Sequence, residues 1–351
     1  MAIIAIVGAG VAGLTCGRML QAAGHRVILL EKSRGVGGRL ATRRLDVGGF
    51  VDHGAPYWAP QSVALKTLTQ ELLNQSLLNL WSAQGFVWDG QLTLSSTVAY
   101  CTEYGVNAIA KYLADGCDIR RQHRVTTLKR TAKGWRIKAD GPDGCVQFSV
   151  DAVVLAIPAP QAVSLIDSLD DRAADTLRSV SYAPCLSLMV TYEVLPDVLL
   201  LDHKQGWHIT VHDSVLAWVS LESSKLVNAS GLHALLLQSQ PDFAAQYLEQ
   251  LDALGADKSS AEALLQKTVD QMLMSLATLI QGLCQPLESR LHRWRYSIVQ
   301  QPYAQSLLTT RWPSLVACGD WCCPCPDDET NLDAASKSGK AAAAMLLQNF
   351  C

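Results

Sequence analysis

Charge is scarce in this chain, and so is any imbalance of it. Only 17% of its 351 residues are charged and the formal net charge is -3, so neither a basic nucleic-acid footprint nor a disordered tract is indicated. Long apolar runs are missing too: no stretch approaches the roughly 20 residues a membrane span needs, although 49% of the chain is hydrophobic. The apolar start has no basic segment before it and is broken by glycine from Gly8 onward, which reads as a strand and not a secretory leader. A soluble, cytoplasmic protein is expected, without membrane or nucleic-acid partners and long enough for two domains with separate cores. Nothing in the sequence speaks to oligomeric state.

A dense cysteine framework is also lacking. The eleven cysteines are an odd number scattered over a large chain, which argues for free thiols in a reducing compartment. Cys318, Cys322, Cys323 and Cys325 do cluster, but Cys322 and Cys323 are adjacent, and only Cys322 and Cys325 have the two-residue gap of a zinc knuckle. They read as small apolar residues of a tight loop near a cofactor, and no metal site is expected. There is one G-x-G-x-x-G and no second, and no C-x-x-C or C-x4-C pair near the start. A disulfide reductase with its own second nucleotide-binding domain is thereby excluded.

What is present is concentrated in the first fifty-odd residues. Ile3-Ile4-Ala5-Ile6-Val7 is a short, β-branched, uncharged run followed at once by Gly8-Ala9-Gly10-Val11-Ala12-Gly13. This spacing predicts a buried parallel strand turning into a helix. Gly8 supplies the tight bend, Gly10 lets the backbone approach a pyrophosphate, and Gly13 lets helix and strand pack closely. The helix N-terminus, opening at Val11 and Ala12, offers N–H groups and a positive dipole end to phosphate. A second apolar strand, Val27-Ile28-Leu29-Leu30, ends in Glu31, eighteen residues beyond Gly13, where a ribose-binding acid belongs. The unit alone leaves NAD and FAD open.

Lys32-Ser33-Arg34-Gly35-Val36-Gly37-Gly38-Arg39 follows the acid, with Thr42-Arg43-Arg44 close behind. This Gly-Gly-Arg resembles the second signature of the flavoprotein superfamily that includes the amine oxidases, the carotenoid desaturases and renalase. The block Phe50-Val51-Asp52-His53-Gly54-Ala55-Pro56-Tyr57 is similar to that of the renalase-like branch, where an Asp-His-Gly-Ala-Gln-Tyr stretch lies beside the isoalloxazine ring. Pro56 departs from that pattern, removing a backbone donor and an amide. On the resemblance, Gly38 and Arg39 border the dinucleotide with Lys32 nearby. His53, Gly54 and Ala55 flank the flavin, and His53 and Tyr57 belong to the catalytic face.

Farther on, Val63 to Leu80 spaces its leucines helically, Trp81 to Thr97 suggests a hairpin, and Tyr104 to Leu113 a helix ended by Gly116. Asp118 to Gly144 reads as a strand and antiparallel hairpins. His123-Arg124-Val125-Thr126-Thr127-Leu128 matches a family stretch at the adenosine half of FAD, which implies a backbone contact from Val125. Asp151 to Ile157 is a buried strand closed by Pro158, and Ala159 to Leu177 a helical crossover. Tyr182 to Tyr192, Trp207 to Val211 and Val215 to Leu221 are candidate strands of a second sheet, followed by the mostly helical Phe243 to Cys284. Leu291-His292-Arg293-Trp294-Arg295-Tyr296-Ser297 is similar to a Trp-Arg-(His/Tyr)-Ser block near the substrate face of the flavin. The resemblance makes Trp294 a stacking surface and Arg295 a fork for an anionic group, though each has an ordinary packing reading as well. Ser314 to Asp320 resembles the last signature, a short strand ending in Gly319-Asp320 at the cofactor, in which Asp320 binds the ribityl group. Asp333 to Met345 forms a helix whose N-terminus faces the flavin N1–O2 edge.

The fold expected is therefore α/β: a Rossmann-type FAD-binding domain (1–75, 115–165 and 300–351) and a discontinuous substrate domain (76–114 and 166–299) on an antiparallel sheet plus helices. The resemblance implies non-covalent FAD and a small-molecule substrate that docks over the ring. A renalase-like enzyme would oxidise a 2- or 6-dihydro-NAD(P) by hydride transfer, with oxygen as acceptor. An amine oxidase would instead act on a small amine, using an aromatic cage and a lysine that reaches a water at flavin N5, and no such lysine is evident in the sequence. A flavin-binding or redox-sensing protein without turnover is the third reading, motivated by Pro56 and the cysteine-rich loop.

Overall fold

The computed structural model describes residues 1–95, 98–196, 206–225, 231–324 and 330–350. Ile3–Val7 lies inside a six-stranded sheet, ordered Leu308–Thr309, Leu315–Ala317, Ala152–Leu155, Ile3–Val7, Arg26–Glu31, Asp118–Arg121. Its neighbours run parallel except at the Leu308–Thr309 edge. The continuous apolar runs suit strands covered on both faces. Ile4, Ile6, Leu29 and Val154 pack beneath one face, while Ala5, Val7, Leu30 and Leu155 pack beneath the other.

Helix Val11–Ala22 covers the first face, and the C-terminal helix Asn331–Asn349 crosses it. A side chain on Gly339 would stand 2.2 Å from the Ala12 carbonyl oxygen, so the small residues of that helix allow the approach. The strands Arg124–Thr131, Gly134–Gly141 and Gly144–Val150 form an antiparallel meander over the other face. One difference from the sequence reading appears here. The crossover expected from Ala159 to Leu177 is two helices, Ala159–Ile166 and Asp171–Arg178, because the Asp170 carboxylate caps a new start by accepting from the Ala173 N–H. Helix Asn107–Leu113 packs Ile109, Ala110 and Leu113 against the dinucleotide core. The domain division drawn from the sequence stands as a proposal.

The second sheet has seven strands, ordered Glu288–Gln301, Ser181–Tyr192, His233–Ser239, Leu216–Leu221, Trp207–Val211, Gln84–Trp88, Leu92–Ser95. It is antiparallel except between Trp207–Val211 and Gln84–Trp88. Alternation along each strand divides the side chains between two faces. Leu186, Leu188, Val190, Val219, Leu235 and Leu237 share a core with Tyr247, Met272 and Leu276 of helices Pro241–Leu254 and Lys258–Leu279. The inner face turns toward residues 50–57. Cross-strand register aligns His292, Ser187, Gln238, Trp218 and Thr210 in one row, and Arg290, Met189, Leu236, Ser220, His208 and Gly85 in the next.

Candidate functional site

The dinucleotide cradle is built from backbone. Gly8 has φ +103, and a side chain there would stand 2.4 Å from the Ala156 carbonyl oxygen; one on Gly13 would stand 2.1 Å from the Gly8 carbonyl oxygen. Both positions are closed by the fold itself. Gly10 differs, since nothing lies within 4 Å of where its Cβ would be, and the helix it opens has neither a side-chain cap nor an acidic residue in its first turn. An open position before an uncapped helix end fits a phosphate group. The Glu31 carboxylate accepts from the Ala9 N–H at 2.9 Å and the Ser33 N–H at 2.8 Å. It thus ties the glycine turn to the strand end. His123 N–H reaches the Glu31 carbonyl at 2.8 Å, which brings the chain before Val125 beside that acid. The Lys32 ammonium is turned to Gln161 at 3.0 Å.

A Cβ on Gly38 would stand 3.4 Å from Gly10 Cα, and Gly54 lies so close to Arg39 that a Cβ would be 2.0 Å from its carbonyl oxygen. Ala55 N–H donates to that same carbonyl at 2.8 Å. Arg39 and Asp320 meet each other in a bidentate pair, at 2.6 and 2.7 Å, and Arg39 also donates to the Ser297 carbonyl at 2.9 Å. Gly319 N–H is taken by Ser338 of the C-terminal helix at 3.0 Å. Asp333, at the start of that helix, accepts from the Gln61 and Ser62 N–H groups at 3.0 and 2.9 Å. Burial pushes its carboxyl up, but hydrogen bonds from Ser62, Thr330 and the Gln61 and Ser62 backbone outweigh this and hold it below its ordinary range.

Two aromatic groups stand over the 53–57 segment. His53 stacks on Trp294 with ring centroids 5.4 Å apart and meets His292 edge-on at 4.5 Å, and the Trp294 indole N–H donates to the His53 carbonyl at 2.8 Å. Burial, then the neighbouring His292 and Arg43, drive the His53 pKa down to about 3. It is neutral at physiological pH, and its Nδ1 is buried without a hydrogen-bond partner. The other group is a box of Tyr57, Trp81, His208 and Trp218. His208 stacks on Trp218 at 4.7 Å and 16°, with Tyr57 5.5 Å from Trp218 and Trp81 5.6 Å from His208. Burial and the Lys225 charge lower the His208 pKa to about 4.

Beneath the box lies an ion cluster that the sequence reading missed. Lys225, Asp52 and Glu222 are buried side chains, with the Lys225 ammonium 3.2 Å from Asp52 and 2.6 Å from Glu222, and it donates as well to the Pro56 carbonyl. Those three acceptors use its three N–H bonds. Asp52 further accepts from Thr42 at 2.6 Å and the Val106 N–H at 2.8 Å, and Glu222 from Ser220 at 2.8 Å and the Asp52 N–H at 3.0 Å. The walls of the box hang from the same turn: Trp218 donates to Ser220 at 3.0 Å and Trp81 to Ser224 at 3.1 Å. In the sequence, Glu222-Ser223-Ser224-Lys225 looks like a solvated turn, and no signal separates it from one.

Arg295 is not brought to this site. It follows Trp294 on one strand and so points to the other face, where it forms a half-exposed bidentate pair with Asp252 at 2.8 and 2.5 Å. The cysteine loop behaves as packing: Cys318, Cys322 and Cys323 are buried, and burial pushes the Cys318 and Cys322 thiols well up, which suppresses the reactive thiolate. Cys325 falls outside the described residues. Among the described residues there is no group of three or more His, Cys, Asp or Glu side chains arranged for a metal ion, and no helix long and apolar enough to cross a membrane.

Residues 6–72 match the NAD(P)-binding Rossmann-like domain, and residues 64–347 match the flavin containing amine oxidoreductases. Renalase of Mus musculus is 24% identical over 323 residues, covering 85% of this chain and 86% of that protein. The L-amino-acid oxidase of Siganus canaliculatus is 51% identical over 53 residues, 15% of this chain and 10% of its own. The structure of wild-type putrescine oxidase bound to putrescine is similar in fold, with a TM-score of 0.68 at 14% identity and 99% of each chain covered.

Proposed function

Since the chain belongs to the flavin containing amine oxidoreductase family, matched over residues 64–347, and is thus a flavin-dependent oxidoreductase, we propose that it acts as renalase-like enzymes do. The substrate is a 2- or 6-dihydro-NAD(P), whose ring loses a hydride and leaves as the aromatic pyridinium. The cofactor is FAD, held without a covalent bond in the cradle of Gly8, Gly10, Gly13, Gly38 and Glu31. When bound in that cradle, the flavin would supply the hydride acceptor, and transfer of the electron pair to oxygen with a proton from solvent would give hydrogen peroxide. The chain's own residues exclude water and orient the substrate ring on the inner face of the seven-stranded sheet.

The observation that carries this choice over amine oxidation is the state of Lys225. Its ammonium is committed to Asp52, Glu222 and the Pro56 carbonyl and is not available to hold a water for an amine oxidase. The buried thiols with raised pKa values speak against redox sensing through the cysteine loop.

The test is the visible spectrum of the purified protein before and after anaerobic addition of dihydronicotinamide isomers. Rapid bleaching by the 2- or 6-dihydro forms, with little by the 4-dihydro form, is expected. Bleaching by putrescine or another small amine alone would transfer the assignment to amine oxidation. Absence of a flavin band after FAD is added to folded protein would defeat it altogether.

A further inference from the structure

On the outer side of the seven-stranded sheet, between helices Pro241–Leu254 and Lys258–Leu279, lies a cleft of about 910 Å³. Small-molecule sites occupy about 300–1,000 Å³. Phe243, Tyr247 and Gln250 line it from the first helix, and Leu264, Thr268 and Gln271 from the second. Each set has the i, i+4, i+7 spacing of one helix face. Tyr247 belongs to the outer core together with Val211 and Val219, so the sheet stands between this cleft and the face that carries His208 and Trp218.

The fixed polar groups of the cleft share a bias toward accepting. Gln240 donates its amide hydrogens to the Val211 and Leu216 carbonyls, at 3.1 Å each, which leaves its own Oε1 as an acceptor. Thr268 is 3% exposed and donates to the Leu264 carbonyl at 2.8 Å, so only its lone pairs remain. Tyr247 differs from both. It is 4% exposed, yet its hydroxyl has no hydrogen-bond partner among the described residues, and nothing seals its oxygen from the cleft. A buried phenol normally finds a partner.

These groups limit what can bind. A carboxylate only accepts, and would face the acceptors of Gln240 and Thr268 with nothing to give them. No uncompensated charge asks for an ion either: Asp213 already accepts from the Val215 and Leu216 N–H groups and from Ser275, and Lys267 and Asp242 carry opposite charges. The exposed amides of Gln246, Gln250, Gln271 and Gln300 both donate and accept. A hydroxyl answers in both senses, whereas an ammonium only donates. Phe243 and Leu264 add apolar surface for the C–H face of a ring. We propose that this cleft is a second binding site, separate from the dinucleotide cradle, for a neutral polyhydroxyl ring of the saccharide class, with the Tyr247 hydroxyl, Gln240 Oε1 and Thr268 Oγ1 as its fixed partners. The site is independent of which substrate the enzyme oxidises.

The probes are maltose, cellobiose, lactose and mannobiose, each offered at about 10 mM to the flavin-loaded protein, with spermidine and inorganic phosphate as charged comparators. Saturation-transfer NMR detects binding and titration calorimetry measures it. At least one disaccharide is expected to bind with a Kd of about 1 mM or below, and Tyr247→Phe to weaken it about fivefold or more. Gln271→Trp, at an exposed position, fills the cleft and should abolish binding. Because the Tyr247 hydroxyl has no protein partner, Tyr247→Phe should keep the wild-type Tm in the absence of sugar. A marked fall in that Tm, or a failure to fold, would show the hydroxyl engaged within the protein and overturn the proposal. So would a wild type that binds none of the four sugars, or binding that either variant leaves within about twofold. Spermidine or phosphate bound in a Tyr247-dependent way, with no sugar bound, would give the cleft to an ion and refute the assignment of its ligand.

Discussion

Replacing Lys225 by methionine removes the one cation from a buried cluster of two carboxylates, and the consequence can be worked out from the geometry. Lys225, Asp52 and Glu222 are at most 1% exposed by side chain, so solvent does little to screen what is left. Removing one partner of a buried ion pair costs about 3–5 kcal/mol. With an unfolding entropy of about 2 cal/mol/K per residue, that lowers Tm by roughly 5–10 °C, depending on how much of the chain unfolds together. The loss should depend on pH. Burial raises the Glu222 carboxyl above its ordinary range, Lys225 opposes the rise and Asp52 adds to it, so losing the ammonium raises it further. A carboxyl raised in the folded state binds more protons folded than unfolded above the ordinary carboxylate value, and stability then falls as pH climbs toward the raised value. Lys225 itself is raised by Glu222 and Asp52 against the desolvation that opposes them, so in wild type its contribution is fully present below the ordinary lysine range. The deficit of K225M is therefore smallest near pH 5 and grows toward pH 8, as thermal melts of the flavin-loaded protein across that range would show. Adding E222Q to K225M should return about 1–3 kcal/mol relative to the sum of the single changes. A deficit independent of pH, together with additive single and double variants, would refute the picture of a coupled buried cluster.

The cradle makes a contrast between two glycines. Gly10→Ala meets nothing within 4 Å, so it should fold with wild-type stability but lose flavin, seen as a colourless protein with unchanged circular dichroism; Gly13→Ala, facing a carbonyl at 2.1 Å, should lower Tm as well. Arg295→Ala breaks only a half-exposed pair with Asp252, so stability should change by less than about 1 kcal/mol and turnover by less than about twofold, whereas Trp294→Leu should slow flavin reduction about tenfold or more. Since the His53 and His208 pKa values fall to about 3 and about 4 through burial, neither should give an inflection in the rate of flavin reduction between pH 5.5 and 8. The sign for stability follows: the unfolded chain takes up protons at these two histidines below about pH 6.5 while the native state does not, so their contribution is present above that pH and fades as pH drops toward the folded values.

How much of this could be read from the sequence followed from how local each feature is. The strand Ile3–Val7, the glycine turn, helix Val11–Ala22 and the strand ending at Glu31 are consecutive, and each constrains the next, so the whole unit was legible. Glu31 was expected to face a ribose; its carboxylate also fastens Ala9 and Ser33, a second use that a spacing rule does not contain. Arg39 and Asp320 were each expected at the cofactor for separate reasons, and their pairing across 281 positions is a tertiary fact. The strand His233–Ser239 was not anticipated, and without it the register that aligns Ser187, Gln238 and Trp218 could not be drawn.

Arg295 shows how the two-residue period of a strand divides a motif between two faces. Neighbours on a strand point to opposite faces, so with Trp294 on the inner face Arg295 turns outward to Asp252. The same period would have grouped His208 with Thr210 and Trp218 with Ser220, but it could not say which pair faced inward. Both flanks of those strands are apolar, and only the helices that claim Ile209 and Val219 on the outer face fix the answer. What turns inward is then set by what the outer core takes. That leaves His208 beside Trp218 over a lysine whose partners, Asp52 and Glu222, lie 173 and 3 positions away. Because that lysine is joined to the Pro56 carbonyl, the position that departs from the renalase-like pattern is also the one that couples the 53–57 segment to the box. A variant restoring glutamine there, Pro56→Gln, keeps the carbonyl and returns the missing N–H. It should therefore leave the ion cluster and the melting temperature nearly unchanged while altering the rate of flavin reduction; a large loss of stability would mean that the rigid φ of proline, and not its carbonyl, holds the segment in place.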